Sequence, residues 1–322
     1  MGHLYRHILH RLTSHYYADD HRSATAIALM LLDEVAHLDT THVLAGDDDH
    51  LDTDTVSRIN DMAQRLEQGE PVQYVVGHTQ FCGLSIDVNP SVLIPRPETE
   101  DLVSCINHPH PHRIIDLGTG SGCIALALKH RYPEAEVTAA DISADALHTA
   151  RHNASRLGLQ VGFREADILK LDPTTHEQWD VIVSNPPYIH PDESTAIRPH
   201  VLDHEPHSAL FVPAADPLIF HRAIIGYAAA TLHPQGGVVA LEVNCRYASH
   251  VAMLMHQHGL QSVAIVADRY GQPRIVRGYK PPLTPPKKTS TNPSQGGEFH
   301  PDGNGKSVNG KSNRFLLPPN NK

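Results

Sequence analysis

The segment that most constrains the fold is a glycine-rich turn between two apolar runs. Residues 113–117 read R-I-I-D-L, residues 118–122 read G-T-G-S-G, and residues 123–129 read C-I-A-L-A-L-K. A short apolar run with β-branched residues, then glycines, then a helix-forming run predicts a strand, a tight turn and a helix. Glycines accept positive φ and let the backbone approach a ligand closely. The segment therefore predicts a βα unit with a ligand-binding turn.

The same alternation of strand and helix continues along the chain. A helix is predicted over 144–157, and further strands are predicted at 136–141, 161–167, 179–185 and 236–244. The runs at 262–268 and 274–279 predict a terminal hairpin. Strands that alternate with helices imply an α/β protein with a parallel sheet covered by helices on both faces.

The chain outside this region divides into three parts. Residues 1–70 predict a small helical bundle, because apolar residues recur at helical spacing, as they do from Val56 to Leu66. Residues 71–107 combine short alternating runs, which predict a β-hairpin, with a proline-rich linker. The α/β domain then spans 108–280. Residues 281–322 are predicted to be a disordered tail, because their few apolar side chains cannot offset the entropy of ordering.

Composition excludes several classes of protein. Residues 1–279 carry 34 Asp and Glu against 19 Lys and Arg, an acidic balance that argues against a nucleic-acid duplex as the main ligand. No apolar run approaches the roughly 18–20 residues of a membrane-spanning helix. Four cysteines without a C-x-x-C pair, and no signal peptide, predict reduced thiols in the cytoplasm. The 26 histidines lack convergent cysteine or carboxylate company, so no metal site is expected.

The acids around the glycines indicate the kind of ligand. A dinucleotide fingerprint reads G-x-G-x-x-G, but this loop reads G-x-G-x-G, with Asp116 two residues before Gly118. That acid suits a ligand with a cationic amino group, such as S-adenosylmethionine. Asp141 ends the second strand, where an acid holds ribose hydroxyls. Asp167 ends the third, where its carboxylate or a neighbouring amide can read an adenine edge. A plain tight turn, with Asp141 only capping the next helix, remains the alternative.

A second candidate site, Asn185-Pro186-Pro187-Tyr188, follows the fourth strand at the carboxyl edge of the sheet, where open α/β sheets bind ligands. The two prolines fix φ, so the turn is rigid. It presents the Asn185 side-chain oxygen and the Pro186 carbonyl as acceptors, which can grip both hydrogens of a planar –NH₂ group and turn its lone pair toward a sulfonium methyl. Tyr188 can pack on the amide and face the sulfonium. A turn that only ends the strand is the alternative.

These motifs and five others resemble the peptide chain release factor glutamine methyltransferases of the HemK/PrmC type. The stretches are G-E-P-V-Q-Y-V-V-G at 69–77, F-C-G at 81–83, L-I-P-R-P-E-T-E at 93–100, D-L-G-T-G-S-G-C-I-A-L-A-L at 116–128, N-P-P-Y-I at 185–189, E-P-H-S-A-L at 205–210 and D-R-Y-G-Q-P-R at 268–274. Many amine methyltransferases share N-P-P-Y with a glycine loop, whereas L-I-P-R-P-E-T-E is far more specific. The resemblance covers about residues 1–280.

The resemblance implies a Rossmann-like seven-stranded methyltransferase domain that uses S-adenosylmethionine, preceded by a helical bundle and a hairpin linker. It implies methyl transfer to the side-chain amide nitrogen of the glutamine in a Gly-Gly-Gln loop of class-1 release factors. The bundle at 1–70 is then the substrate-recognition domain, and neither a membrane nor a nucleic acid is an expected partner.

The resemblance also assigns residues to roles. The catalytic residues are Asn185, Pro186 and Tyr188. The cofactor-binding residues are Asp116, Gly118, Thr119, Gly120, Ser121, Gly122, Asp141, Asp167, Ile168 and Asn185. The substrate-binding residues are Asn185, Pro186, Pro187 and Tyr188. Some members carry an aromatic residue just after the acid of the third strand, and Ile168 departs from that pattern.

Three other functions remain open from the sequence. A methyltransferase acting on a ribosomal-protein glutamine would share F-C-G and N-P-P-Y, with a different N-terminal segment. A nucleic-acid methyltransferase acting on an exocyclic amine would need a basic groove and a pocket for a flipped base. A non-enzymatic binding module would leave N-P-P-Y unexplained.

Overall fold

The computed structural model describes residues 2–14 and 17–281. The tail predicted at 281–322 therefore lies, except for its first residue, outside the described residues. Within the described residues no helix has the length and apolar character needed to cross a membrane. Cys82, Cys105, Cys123 and Cys245 are free thiols.

The N-terminal region is a helical bundle, as the sequence predicts. Its helices are α1 (His3–Ser14), α2 (His21–Ala36), α3 (Thr40–Ala45) and α4 (Thr53–Glu67). Three of them begin at aspartates whose carboxylates accept backbone N–H groups of the first turn, namely Asp20, Asp39 and Asp52. Fully buried leucine and isoleucine side chains on α1, α2 and α4 pack together as a separate core.

The linker differs in part from the prediction. Residues 72–76, expected to belong to the alternating hairpin segment, form the short helix α5 (Val72–Val76). Pro71 precedes its first residue and suits a helix start, while Gly77 ends it with φ of +89°. The hairpin itself is confirmed by the antiparallel pair β1 (His78–Phe81) and β2 (Leu84–Asp87).

The C-terminal region has a seven-stranded sheet, which confirms the predicted α/β class. The strands are β3 (Arg113–Leu117), β4 (Glu136–Asp141), β5 (Gly162–Glu165), β6 (Val181–Ser184), β7 (Val238–Glu242), β8 (Gln261–Ala267) and β9 (Pro273–Tyr279). The spatial order is β5-β4-β3-β6-β7-β9-β8. Strands β3 to β7 are parallel, and the terminal hairpin β8–β9 joins the edge of β7 in antiparallel fashion.

Helices cover both faces of the sheet, which accounts for two separate apolar clusters. The helices of this region are α6 (Pro97–Cys105), α7 (Cys123–Arg131), α8 (Ala144–Leu157), α9 (Pro199–His204), α10 (His207–Leu210), α11 (Ile219–Thr231) and α12 (Ala248–Gln257). Short 3-10 turns lie at Asp47–His50, Ile168–Lys170, Pro191–Ala196 and Cys245–Tyr247. Because β3, β4, β5 and β6 are parallel, the turns that follow them meet at one edge of the sheet.

Candidate active site

A cavity of about 510 Å³ opens at this carboxyl edge. Nine of the residues predicted from the sequence line it: Gly118, Thr119, Gly120, Ser121, Asp141, Asp167, Ile168, Asn185 and Pro187. Asp116, Gly122, Pro186 and Tyr188 do not form part of the lining, and Asp116 and Pro186 are buried. The structure thus brings the glycine loop, the acids behind it and the Asn-Pro-Pro-Tyr turn around one space.

The glycine loop has a conformation that non-glycine residues rarely adopt. Gly118, Gly120 and Gly122 all have positive φ, between +54° and +84°. A Cβ on Gly122 would lie 3.0 Å from the Cβ of Ala150, so this glycine also permits close packing of helix α8. A Cβ on Gly120 would meet nothing within 4 Å, so the space above the middle of the loop is open to a ligand.

The Asp141 carboxylate organises this loop. Its Oδ2 accepts from the backbone N–H of Gly120 at 2.9 Å, and its Oδ1 accepts from the N–H of Ser143 at 2.9 Å. Each carboxylate oxygen can accept more than one hydrogen bond. Asp141 can therefore hold the loop and still accept from ligand hydroxyls in the cavity that it lines.

Asp116 lies beneath the loop and is fully buried. The Thr119 hydroxyl donates to its Oδ2 at 2.6 Å, while its Oδ1 has no hydrogen-bond partner. Burial raises the pKa of the Asp116 carboxyl to about 7. An unpartnered oxygen on a buried carboxyl group is costly unless a ligand donates to it, so Asp116 is suited to a cationic donor.

The third acid follows β5, the neighbour of the strand that ends at Asp141. Asp167 accepts from the backbone N–H of Leu169 at 2.9 Å and pairs with Lys170 at 3.0 Å. The Leu169 N–H, and then Lys170, lower the pKa of the Asp167 carboxyl. The Ile168 side chain lies 3.5 Å from the position of a Cβ on Gly118. An aliphatic side chain therefore forms this part of the cavity wall.

The Asn-Pro-Pro-Tyr turn is held from below by two residues that sequence reasoning did not select. Asn185 Nδ2 donates to Thr99 Oγ1 at 3.2 Å, and Thr99 Oγ1 donates to Glu242 Oε2 at 2.7 Å. The Tyr188 hydroxyl donates to the other oxygen, Glu242 Oε1, at 3.0 Å. Asn185 and Tyr188 are therefore joined through one buried carboxylate.

Burial and neighbouring groups shift the pKa values of both Glu242 and Tyr188. Burial raises the pKa of its carboxyl to about 7, against the hydrogen bonds from Thr99 and Tyr188 and the positive charge of Arg274. The Arg274 guanidinium lies 5.9 Å from the centre of the Tyr188 ring. Burial, with Glu242 next, raises the pKa of the Tyr188 hydroxyl well above its usual value, so Tyr188 stays neutral and donates.

Two glutamates of the sequence motifs fix the linker to the domain. Glu205 is almost fully buried and accepts from the backbone N–H of Ile94 and from the Arg96 guanidinium. Glu100 accepts from Arg269 and from the backbone of the F-C-G turn. These contacts join four of the quoted motifs, and they hold the start of α6, which carries Thr99, against the N-P-P-Y turn.

No histidine among the described residues lines the cavity. His200, His204 and His207 lie near the E-P-H-S-A-L motif, but none of these three lines the cavity. Their lack of contact with substrate remains a prediction. In the described ranges no group of three or more His, Cys, Asp or Glu side chains is arranged to hold a metal ion.

Comparison with known proteins gives a consistent result. Residues 3–77 match the family model of the PrmC N-terminal domain, and residues 97–204 match that of the methyltransferase small domain. A release factor glutamine methyltransferase of Bacteroides thetaiotaomicron is 38% identical over 253 residues, which are 78% of this chain and 91% of that protein.

Two other bacterial proteins with the same name are nearly as similar. That of Koribacter versatilis is 37% identical over 83% of this chain and 95% of its own length. That of Flavobacterium psychrophilum is 34% identical over 80% of this chain and 92% of its own length. The similarity thus extends over both the helical bundle and the α/β domain, and the chain belongs to the release factor glutamine methyltransferase family.

Proposed function

We propose that this protein transfers a methyl group from S-adenosylmethionine to the side-chain amide nitrogen of the glutamine in the Gly-Gly-Gln motif of class-1 release factors. Membership of the family supports the reaction and the kind of substrate. The observation that carries the proposal is the setting of Asn185, which lines the cavity while its NH₂ group is committed to Thr99.

The cavity fits S-adenosylmethionine on three observations. Asp116, which lies beneath the loop and outside the cavity lining, has an unpartnered buried oxygen suited to the cationic amino group of the methionine end. The loop from Gly118 to Gly122 keeps the space above Gly120 free. Asp141 ends β4, Asp167 follows the neighbouring strand β5, and both line the cavity, which supports the proposed roles of these acids toward the ribose hydroxyls and the adenine edge. When bound, this cofactor supplies a methyl group on a positively charged sulfur, which keeps the bonding electrons as a neutral thioether.

The residues of the turn act on the acceptor amide by orienting it. An amide nitrogen is a poor nucleophile because its lone pair is delocalised. The Asn185 oxygen and the Pro186 carbonyl accept from its two N–H groups and hold the nitrogen face toward the methyl group. Orientation of this kind supplies up to roughly 7–11 kcal/mol of a barrier. No base is needed before attack, because an amide nitrogen that has gained a methyl group readily gives up a proton to water.

The helical bundle at 1–70 is proposed to recognise the rest of the release factor. The Asn-Pro-Pro-Tyr turn contacts only one glutamine and its neighbours, which cannot distinguish a whole protein. Binding energy from a remote surface can position the amide and so raise turnover. In this proposal, residues 1–70 recognise the release factor, residues 71–107 connect the two regions, and residues 108–280 bind the cofactor and carry out the transfer.

The test is mass spectrometry of candidate acceptors incubated with the purified protein and S-adenosylmethionine. We expect one added methyl group on the Gly-Gly-Gln glutamine of an intact class-1 release factor. A short Gly-Gly-Gln peptide should be a much poorer substrate. Methylation of a ribosomal protein or of DNA in the same reaction, with release factors unmodified, would contradict the proposed substrate and leave the cofactor assignment intact.

A further inference from the structure

The buried pair Thr99 and Glu242 has no direct place in the methyl transfer described above. Both side chains are at most 2% exposed; Thr99 lines the cavity, whereas Glu242 does not. Yet the side-chain amide of Asn185 and the hydroxyl of Tyr188 are both hydrogen-bonded to this pair. Such a connection suggests that the pair controls the residues that meet the substrate.

The hydrogen bonds can run in only one direction when Glu242 is ionised. A carboxylate only accepts, and a threonine hydroxyl has a single hydrogen to donate. Thr99 must give that hydrogen to Glu242 Oε2, at 2.7 Å. The Thr99 oxygen can then only accept from Asn185, so the NH₂ group of Asn185 points to Thr99 and its carbonyl oxygen is left to accept from a ligand.

The direction matters for the reaction because an asparagine side chain has two nearly isosteric orientations. In the reversed orientation, the NH₂ group of Asn185 would face the N–H groups of the substrate glutamine. Two donors would then oppose each other, and the substrate amide would lose the acceptor that orients its lone pair. Nothing in the shape of the Asn185 side chain itself prevents this reversal.

We propose that Thr99 and Glu242 are positioning residues that fix the orientation of the Asn185 amide, so that its oxygen accepts from the glutamine of the release factor. The inference rests on the proposed function and deepens it. Glu242 lies outside the cavity lining, and Thr99, which lines the cavity, donates its hydroxyl hydrogen to Glu242 and accepts from Asn185. Each acts through Asn185, with Tyr188 as the second anchor of the carboxylate.

The groups that face Glu242 act in opposite directions on its ionisation. Arg274 supplies a positive charge, whereas Glu98 opposes ionisation. The Tyr188 hydroxyl donates to the carboxylate, and His221 contacts only the backbone oxygen of Glu242, at 2.9 Å. Burial lowers the pKa of His221 to about 4, so that its ring stays neutral. Because burial raises the pKa of the Glu242 carboxyl to about 7, assays at about pH 8 favour its ionised form.

Three substitutions test the proposal in the full-length protein with an intact release factor as substrate. Thr99→Val keeps the shape and removes the hydroxyl, Thr99→Ser keeps the hydroxyl, and Glu242→Gln replaces an acceptor oxygen with a donor. We expect kcat to fall about tenfold or more for Thr99→Val and Glu242→Gln. For Thr99→Ser, kcat should stay within about threefold of the wild type. The Kd for S-adenosylmethionine should stay unchanged in Glu242→Gln, because Glu242 does not line the cavity.

The matched control is Thr231→Val. Thr231 is 1% exposed, and its hydroxyl donates to the backbone of Tyr227 within α11, so the substitution also removes a buried threonine hydroxyl. It should lower the melting temperature and leave kcat unchanged. A kcat loss of equal size in Thr231→Val and Thr99→Val would show a general effect of lost stability and overturn the proposal.

A double-mutant cycle separates positioning from independent catalysis. Because Thr99 acts through Asn185, Thr99→Val should have almost no further effect on kcat in an Asn185→Ala background. If the kcat losses of the two single variants multiply in the double variant, the proposal is overturned. A near-normal kcat in Glu242→Gln would also overturn it, and this variant replaces Thr99→Val in the test if Thr99→Val does not fold. These outcomes concern the positioning pair alone, because failure of the wild type to methylate the release factor would instead refute the proposed function.

Discussion

The two halves of the cavity are each built on one buried carboxyl group, and the two groups are satisfied differently. Beneath the glycine loop, Asp116 receives one hydroxyl, from Thr119, and its other oxygen has no partner. Beneath the Asn-Pro-Pro-Tyr turn, Glu242 receives the Thr99 hydroxyl on one oxygen and the Tyr188 hydroxyl on the other. Burial raises the pKa of both carboxyl groups to about 7.

This difference separates a group that binds a ligand from a group that positions its neighbours. A buried oxygen without a donor destabilises the ligand-free protein and is stabilised when a ligand donates to it. A carboxylate whose oxygens are both occupied has nothing left for a ligand and can only orient its donors. Substitutions in the first half should therefore change affinity for the cofactor, and substitutions in the second should change the rate of transfer.

The largest effect is expected at the turn. Asn185→Ala should lower kcat by about 10²–10³-fold, the effect of removing one oriented hydrogen-bonding group from an active site. The melting temperature should change little, because only one hydrogen bond to Thr99 is lost. Steady-state methylation and thermal unfolding measure the two quantities. Asn107→Ala, at an exposed asparagine, is the control, and near-normal turnover in Asn185→Ala would refute the orientation mechanism.

The next effect is expected at the ribose position. Asp141→Ala should weaken the binding of S-adenosylmethionine by about 100-fold, since two hydrogen bonds to a charged group cost about 1.5–3 kcal/mol each and part of that cost is recovered by water. The substitution also removes the acceptor of the Gly120 N–H, so the loop loses its support. Calorimetric titration gives the Kd, and an unchanged value would place the ribose elsewhere.

Asp116→Asn should weaken cofactor binding by about 10–100-fold and alter the pH dependence of stability. The folded-state pKa of Asp116 is raised above its ordinary value, so its stabilising contribution is complete below about pH 4 and is lost as the pH rises through about 7. The Asp116→Asn variant does not lose stability in this way, because an asparagine side chain does not ionise.

Melting temperatures of the cofactor-free proteins test the second effect. The difference between Asp116→Asn and the wild type should grow in favour of the variant from about pH 4 to about pH 7 and then level off. The comparison isolates Asp116, because Glu242 is present in both proteins. A constant difference across this range would show that the Asp116 carboxyl is ionised in the folded protein throughout.

The smallest effect on kcat is expected at Tyr188, the last residue of the Asn-Pro-Pro-Tyr turn. Tyr188→Phe should lower kcat by about fivefold, corresponding to about 1 kcal/mol. The variant leaves Glu242 Oε1 without its donor but keeps the ring next to Arg274 and the bond from Thr99 to the other oxygen. Steady-state methylation assays at saturating cofactor measure this loss. A loss as large as that of Asn185→Ala would mean that the hydroxyl itself meets the substrate.

The sequence was sufficient for features that depend on local pattern. Helix α8 occurs at 144–157 as predicted, because alanines and leucines at helical spacing follow the capping residue Ser143. The glycine loop and the acids at the ends of β4 and β5 could be placed because parallel strands end at a common edge. The prediction for residues 72–76 was wrong. The sequence Val-Val-Gly favours a strand locally, but Pro71 and Gly77 delimit a short helix there.

The positioning pair could not be predicted from spacing. Thr99 and Glu242 are 143 residues apart and meet only when α6 packs against the end of β7. Thr99 stood within the most specific motif, L-I-P-R-P-E-T-E, but nothing in that motif indicates which partner its hydroxyl has. Glu242 lay among apolar residues inside the strand predicted at 236–244, and an acid in such a run is the signal that could have drawn attention to it.

One pair of variants tests the contrast between the two carboxyl groups most directly. Single-turnover methylation of an intact release factor at saturating S-adenosylmethionine, with the Kd measured in parallel, should be compared for Asp116→Asn and Glu242→Gln. We predict that Asp116→Asn raises the Kd and keeps a near-normal single-turnover rate, while Glu242→Gln keeps the Kd and slows the turnover about tenfold or more. A Glu242→Gln enzyme with weakened cofactor binding and an unchanged rate at saturation would contradict the account.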